Sequence, residues 1–315
     1  MKKKFLVLAI VIALTAVVFV GCNGNQDNEN APIRVATLSG PSGMGMAYLF
    51  DNEDLDVKVF TAPDQINAKI INGEIDIASV PANLAAVLYN KTNKGVKILS
   101  MNTYGMLYVV GEKSNNISSI TDLEGRTLYA TGKGATPEYA LAEIIARKGV
   151  DIEVEYLAEH SQLASDLIEG TKTLGVLPEP FVSMTLAGNS NLEIKIDLNE
   201  EWKDIYGQDS ALPMTATIVR TEYLAKNSDK IASFKQAYQE SVTKVNADPA
   251  AAAQLIVDNG IFPQKAVAQN AIPRCNICYI DGEEAKSVLQ NYFSVLHEAN
   301  ATAVGGALPG EDIYA

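Results

Sequence analysis

The residue types that could do chemistry are few, and their spacing does not favour catalysis. The 315-residue chain has two histidines, His160 and His297, and neither lies in a motif that supplies a nucleophile. No G-x-S-x-G, H-E-x-x-H, Walker A or G-x-G-x-x-G pattern occurs, and Gly43-Met44-Gly45 is too short for a dinucleotide fingerprint. Glu200-Glu201 and Glu283-Glu284 read as solvated helix starts. Zinc capture would need more histidines, and iron capture adjacent tyrosines. Cys275 and Cys278 form a single C-N-I-C, without the second pair of a zinc site. They fall late in the chain, not at a helix opening an early βαβ unit as a redox pair would. Two thiols without chemistry are the first reading and a local disulfide the second. The expected activity is binding without turnover, with no cofactor and no metal.

Binding donors are easier to find. Helices are expected to start after small residues at Ser42, Pro81, Thr136 and Pro178. Each start presents unpaired backbone N–H groups and the positive end of a helix dipole. The Ser42 and Thr136 hydroxyls are the expected caps, and Pro81 and Pro178 the expected openers.

An internal repeat must position these starts. Residues 55–84 realign without a gap on residues 152–181. Leu55, Val57 and Val59 answer Ile152, Val154 and Tyr156. Gln65 answers Gln162, Ile71 answers Ile168, Gly73 answers Gly170, and Pro81 answers Pro178. Each copy reads as a strand of period two, a helix stopped by glycine, a second strand and a new helix. The strand, small-residue loop and helix of residues 33–50 are echoed by residues 127–148, which extends the similarity upstream. Two copies of one α/β unit predict two lobes with a cleft between them. From residue 221 onward the pattern is helical, and the stripe Ile231, Phe234, Tyr238, Val242 and Val245 is expected to be core.

The N-terminus reads as an address. Lys2, Lys3 and Lys4 precede an apolar run over residues 5–20, closed by Gly21-Cys22. The run is short for a membrane span. Residues 23–31 are polar and without apolar period, as expected of a tether. No later run is long enough to span a bilayer. The formal charge of −13 argues against a nucleic-acid partner, which demands clustered lysine and arginine. It also means that an anionic ligand would depend on local donors.

The start resembles a bacterial lipoprotein signal, which implies lipid attachment at Cys22. The body, over residues 33–296, is similar to the nitrate/sulfonate/taurine/thiamine-precursor family of ABC-transporter substrate-binding proteins. The likeness rests on I-I-N-G-E-I-D-I-A at residues 70–78, D-L-E-G-R-T at 122–127, the loop 132–136 and Glu179-Pro180-Phe181. It implies a type II periplasmic-binding-protein fold, α/β throughout, with two lobes joined by a two-strand hinge. The expected divisions are a signal at 1–21, a tether at 22–32, a discontinuous first lobe at 33–108 and 214–315, and a second lobe at 109–213. The chain should work as a monomer on the extracytoplasmic membrane face, held by lipid only. It should deliver a small solute to an ABC permease driven by a cytoplasmic ATPase.

By matching positions, the resemblance implies ligand contacts at Ser39, Ser42, Gly43, Met44, Pro81, Ala82, Asn83, Asn102, Tyr104, Ala135, Thr136, Glu179, Pro180, Met214 and Thr215. A sulfonate- or nitrate-type anion would use the helix N-termini. A flat heterocycle such as a pyrimidine vitamin precursor would instead use Tyr48, Tyr104, Tyr108, Tyr139 and Met44 for stacking, and Glu179 as acceptor. Rival classes on the same fold are a thiamine-pyrimidine synthase, a menaquinone-pathway enzyme and a ligand-sensing module for a receptor.

Overall fold

In the computed structural model, residues 31–315 are described; the expected signal, most of the tether and Cys22 lie outside the described residues. Eleven strands are found among the described residues: β1 (Ile33–Leu38), β2 (Leu55–Phe60), β3 (Ile77–Pro81), β4 (Val96–Tyr104), β5 (Leu107–Glu112), β6 (Thr127–Ala130), β7 (Glu153–Tyr156), β8 (Leu174–Pro178), β9 (Leu192–Asp197), β10 (Pro213–Arg220) and β11 (Ile277–Ile280). The helices beside the first lobe's early strands are α1 (Pro41–Gly45), α2 (Pro63–Ile71) and α3 (Ala82–Lys91). Those of the middle of the chain are α4 (Thr136–Lys148), α5 (His160–Glu169), α6 (Phe181–Gly188) and α7 (Leu198–Tyr206). The C-terminal third adds α8 (Thr221–Lys226), α9 (Ser228–Ala247), α10 (Pro249–Asp258), α11 (Lys265–Ala271) and α12 (Gly282–Ala299).

The strands form two mixed sheets, ordered β11-β4-β10-β3-β1-β2 and β7-β6-β8-β5-β9. In the first, β1 runs parallel to β2 and β3, while β10 is antiparallel to β3 and β4. In the second, β6 runs parallel to β7 and β8, while β5 is antiparallel to β8 and β9. The two sheets therefore repeat one five-strand pattern, with β11 as an extra edge. The chain enters the second sheet at β5 and returns to the first at β10, so each sheet's antiparallel insert is the first strand formed after a crossing.

The sequence repeat falls on β2-α2-β3-α3 and β7-α5-β8-α6. Its shared glycines adopt the same left-handed backbone, φ 72° at Gly73 and 75° at Gly170. A β-carbon clashes with the following carbonyl in that region, which is why glycine ends both helices.

Three apolar clusters hold the fold. One runs from the first sheet (Met101, Ala216, Ile218) through Tyr292 and Trp202 to the second (Val109, Val176, Leu128). Another packs Val35, Ile77 and Val219 beneath α9, whose predicted stripe from Ile231 to Val245 is buried throughout. A smaller one places Leu163 and Leu167 of α5 and Val182 of α6 against β5 and β8. Burying a side chain of this size contributes about 1.5–3 kcal/mol. Among the described residues, no helix is long and apolar enough to cross a membrane.

Candidate functional site: the seam between the lobes

Loops at the strand ends of the two sheets meet along a seam. On one flank Thr136, the first residue of α4, donates its hydroxyl to Asn83 Oδ1 at 3.4 Å and accepts from the Tyr292 hydroxyl at 3.0 Å. Asn83 is on α3 and donates in turn to the Ala303 carbonyl. All three side chains are buried. On the other flank α6 meets α11: Phe181 lies edge-on to Phe262 at 6.5 Å, and the Gln264 amide reaches Met184 Sδ.

Deeper in the seam, Arg274 reaches from the turn before β11 to the end of β8. Its Nε donates to Glu179 Oε1 at 2.6 Å, and its Nη2 to Ser183 Oγ at 2.6 Å. Ser183 gives both its backbone N–H and its hydroxyl to the same carboxylate. Glu179 is 1% exposed, and burial pushes its carboxyl above the usual range against the pull of Arg274 and Ser183. The Tyr108 hydroxyl donates to the Arg274 carbonyl at 3.1 Å, which fixes the turn from below. The Glu179–Pro180 peptide is cis. Sequence reasoning missed Arg274; its signal was a lone arginine between Pro273 and the first cysteine of C-N-I-C.

The remaining predicted residues are placed as follows. Ser39 is exposed, and its backbone N–H donates to the Phe60 carbonyl. Ser42 is buried inside α1 rather than capping it: the cap position is Gly40, and no side chain caps this helix. Gly43 is required by close packing, since a β-carbon there would stand 2.6 Å from the Leu38 carbonyl oxygen. Met44 has no exposed surface and packs beneath α9. Pro81 and Ala135, both half-buried, hold the cap positions of α3 and α4, and Ala82 is buried behind Pro81. Thr136 is thus not the cap of α4, because its hydroxyl is spent across the seam. Pro178 ends β8 instead of opening a helix; α6 begins at Phe181 with Pro180 at its cap.

Asn102 is fully buried and donates to Ser79 Oγ at 2.8 Å, while Thr215 shares a 2.5 Å hydrogen bond with Thr103. Met214 is buried beside the cluster that spans both sheets, and Tyr104 is half-buried against it. The five residues of the stacking alternative do not form one group. Met44 and Tyr48 pack beneath α9, Tyr108 packs with α5 and α6, and Tyr104 and Tyr139 border the cluster that spans both sheets. Glu179, with three donors on its two oxygens, is not the free acceptor that this alternative used.

His160, one of the two histidines, sits beside Thr131. The Thr131 hydroxyl lies 2.6 Å from its Nδ1, and the Phe181 ring stacks obliquely at 5.1 Å. Burial holds this imidazole below its usual pKa. Thr131 is buried and His160 half-buried. Cys275 and Cys278 are both free thiols, so the local disulfide is not formed. Burial raises both, Cys278 to about 12, which keeps them protonated and unreactive.

A cavity of about 420 Å³ opens elsewhere along the lobe contact, between α4, α7 and α12. Trp202, Tyr206 and Tyr292 line it, and none of the predicted contact residues does. Its arginine, Arg147, is already paired with Glu143. The strand-end loops, not this cavity, bring the two sheets' repeated elements face to face.

Comparison with solved structures gives the same architecture. An ABC transporter from Parabacteroides distasonis is 28% identical, with a TM-score of 0.78, over 90% of this chain and 99% of that one. The periplasmic aliphatic sulphonate-binding protein SsuA of Escherichia coli matches at 15% identity and a TM-score of 0.69, over 85% of this chain and 87% of that one. The periplasmic nitrate-binding protein NrtA of Synechocystis PCC 6803 matches at 12% and 0.60, over 90% of this chain and 85% of that one. At such identities the last two establish the periplasmic-binding-protein-like fold. No curated protein sequence matches. The NMT1/THI5-like family model matches residues 48–252, and the chain belongs to that family.

Proposed function

We propose that this protein is the extracytoplasmic solute-binding component of an ABC importer. It takes a small organic solute of the sulfonate or nitrate type into the seam between its lobes and delivers it to a membrane permease driven by a cytoplasmic ATPase. The observation that carries this reading is the paired architecture: two copies of one α/β unit turn equivalent strand-end loops toward each other. The likeness to the Parabacteroides ABC transporter over nearly all of that chain supports it. So does the binding of sulphonate and nitrate by two proteins of the same fold.

In this reading the first lobe comprises residues 33–108 and 214–315, and the second 109–213. The contact set is the one named from the sequence, centred on Ser39, Pro81–Asn83, Ala135, Thr136, Glu179 and Pro180. Cys22 carries the lipid, and the protein acts as a monomer.

The test is a thermal-shift panel of alkanesulfonates, taurine, nitrate, thiamine precursors and aromatic acids, with mass spectrometry of each solute afterwards. A solute that binds the folded chain but not the unfolded one raises the melting temperature by mass action. A stabilising solute recovered unchanged supports a binding protein. A solute consumed by the protein would replace this reading with an enzyme.

A further inference from the structure

Arg274 combines four properties in the seam. It comes from the first sheet's side, while both of its side-chain partners, Glu179 and Ser183, belong to the second. Its guanidinium is fixed by two 2.6 Å bonds, and its main chain by the Tyr108 hydroxyl. Its side chain is nevertheless 35% exposed. A guanidinium has five N–H donors, and the two bonds described use two of them.

The Glu179–Pro180 loop that it grips lies against the loop after β1, where Pro180 Cδ stands 4.0 Å from the β-carbon position of Gly40. The adjoining Ser39 is exposed. A planar, permanently charged fork is thus held immobile between the two lobes, next to open surface. Paired with Glu179 the guanidinium adds no net charge, so what it offers an anion on a chain of net charge −13 is N–H donors at contact distance.

We propose that Arg274 is the specificity-determining residue of the site and that its free N–H donors bind the oxyanion of the solute, a sulfonate or carboxylate. The inference rests on the solute-binding reading above and narrows it. Glu179 and Ser183 are positioning residues: they orient the fork and leave its outer edge for the ligand. Because Arg274 already neutralises Glu179, the carboxylate does not repel an anion, and one guanidinium bridges two oxyanions with separate edges. The long-range field of the chain disfavours anions, so selectivity arises at contact distance.

The test uses full-length protein in detergent micelles and two matched probe pairs, benzenesulfonate against benzenesulfonamide and benzoate against benzamide. Affinities are read by calorimetry in the wild type, Arg274→Gln and Arg274→Lys. Wild type is expected to prefer each anion to its uncharged isostere. In Arg274→Gln that preference should fall on the order of 10- to 100-fold, with the affinity for the isosteres little changed. Arg274→Lys keeps the charge without the fork and should lie between; it decides the matter if the glutamine variant does not fold. An anion preference that survives in both variants overturns the assignment while leaving solute binding intact. Binding of the uncharged probes alone in the wild type has the same consequence. Failure of all four probes to bind the wild type counts against both this inference and the solute class proposed for the importer.

Discussion

At the scale of single residues, one of the motifs that carry the family likeness builds the fold. In G-E-I-D-I-A, Asp76 is 1% exposed and takes bonds from Arg34 Nε at 2.8 Å and Arg220 Nη2 at 2.9 Å. Burial alone would raise this carboxyl, but the two arginines more than reverse it and hold its pKa below the usual value. A group with a depressed folded pKa contributes stability that is complete above its unfolded pKa. That contribution is lost as pH falls from about 4 through the folded value. Asp76→Asn should therefore cost about 1.5–3 kcal/mol at neutral pH, read by urea unfolding, because it removes the charge-assisted bonds of two arginines. The variant should also flatten the acid limb of the stability profile. His160 adds a second term at milder pH. Its folded pKa is depressed by burial, so the unfolded chain gains a proton first as pH drops below about 6.5. His160→Gln should remove that part of the slope below about pH 6.5.

At the scale of elements, the repeat makes a matched experiment available. Gly73 and Gly170 end equivalent helices in the same left-handed conformation, but their surroundings differ. A β-carbon at Gly170 meets nothing within 4 Å, whereas one at Gly73 meets Arg220 Nη1 at 3.4 Å. Gly170→Ala should cost about 1 kcal/mol, the backbone penalty alone. Gly73→Ala should cost the same or slightly more, and a loss at Gly170 well above that of Gly73 would break the equivalence. The observed helix starts differ from the expected ones by one to three residues, and at Thr136 and Ser42 the reason is physical. Serine and threonine are good caps by propensity, yet tertiary partners outbid local ones here. Thr136 spends its hydroxyl on Asn83 and Tyr292, and Ser42 is turned inward where α1 packs beneath the first sheet.

At the scale of the whole molecule, function depends on how the two sheets are held. The seam is bridged on one flank by Asn83, Thr136 and Tyr292, and on the other by Phe181, Phe262 and the Arg274–Glu179 pair. Thr136→Trp places an indole where a threonine is 1% exposed, and should wedge the lobes apart while each keeps its own core. The expected result is loss of any solute-induced melting shift with a larger radius of gyration by solution scattering. Unchanged affinity in that variant would remove the proposed contact set from this seam.

The repeat, the strand–helix order of both copies, the buried stripe of α9 and the family were all legible in the amino-acid sequence. These are local and periodic properties, carried by apolar spacing and by glycines whose backbone angle admits few other residues. The sequence named Thr136 and Glu179 but mistook what they do, expecting a cap and a free acceptor. The exchange of β10 and β5 into matching places in the two sheets came from the tertiary pairing, because contacts between strands some 60 to 140 residues apart leave no local trace. Only the tertiary structure brought Arg274 to Glu179, ninety-five positions away in the chain. An arginine's role is set by which carboxylate and which open surface lie within reach of its fork, and neither is written beside it in the sequence.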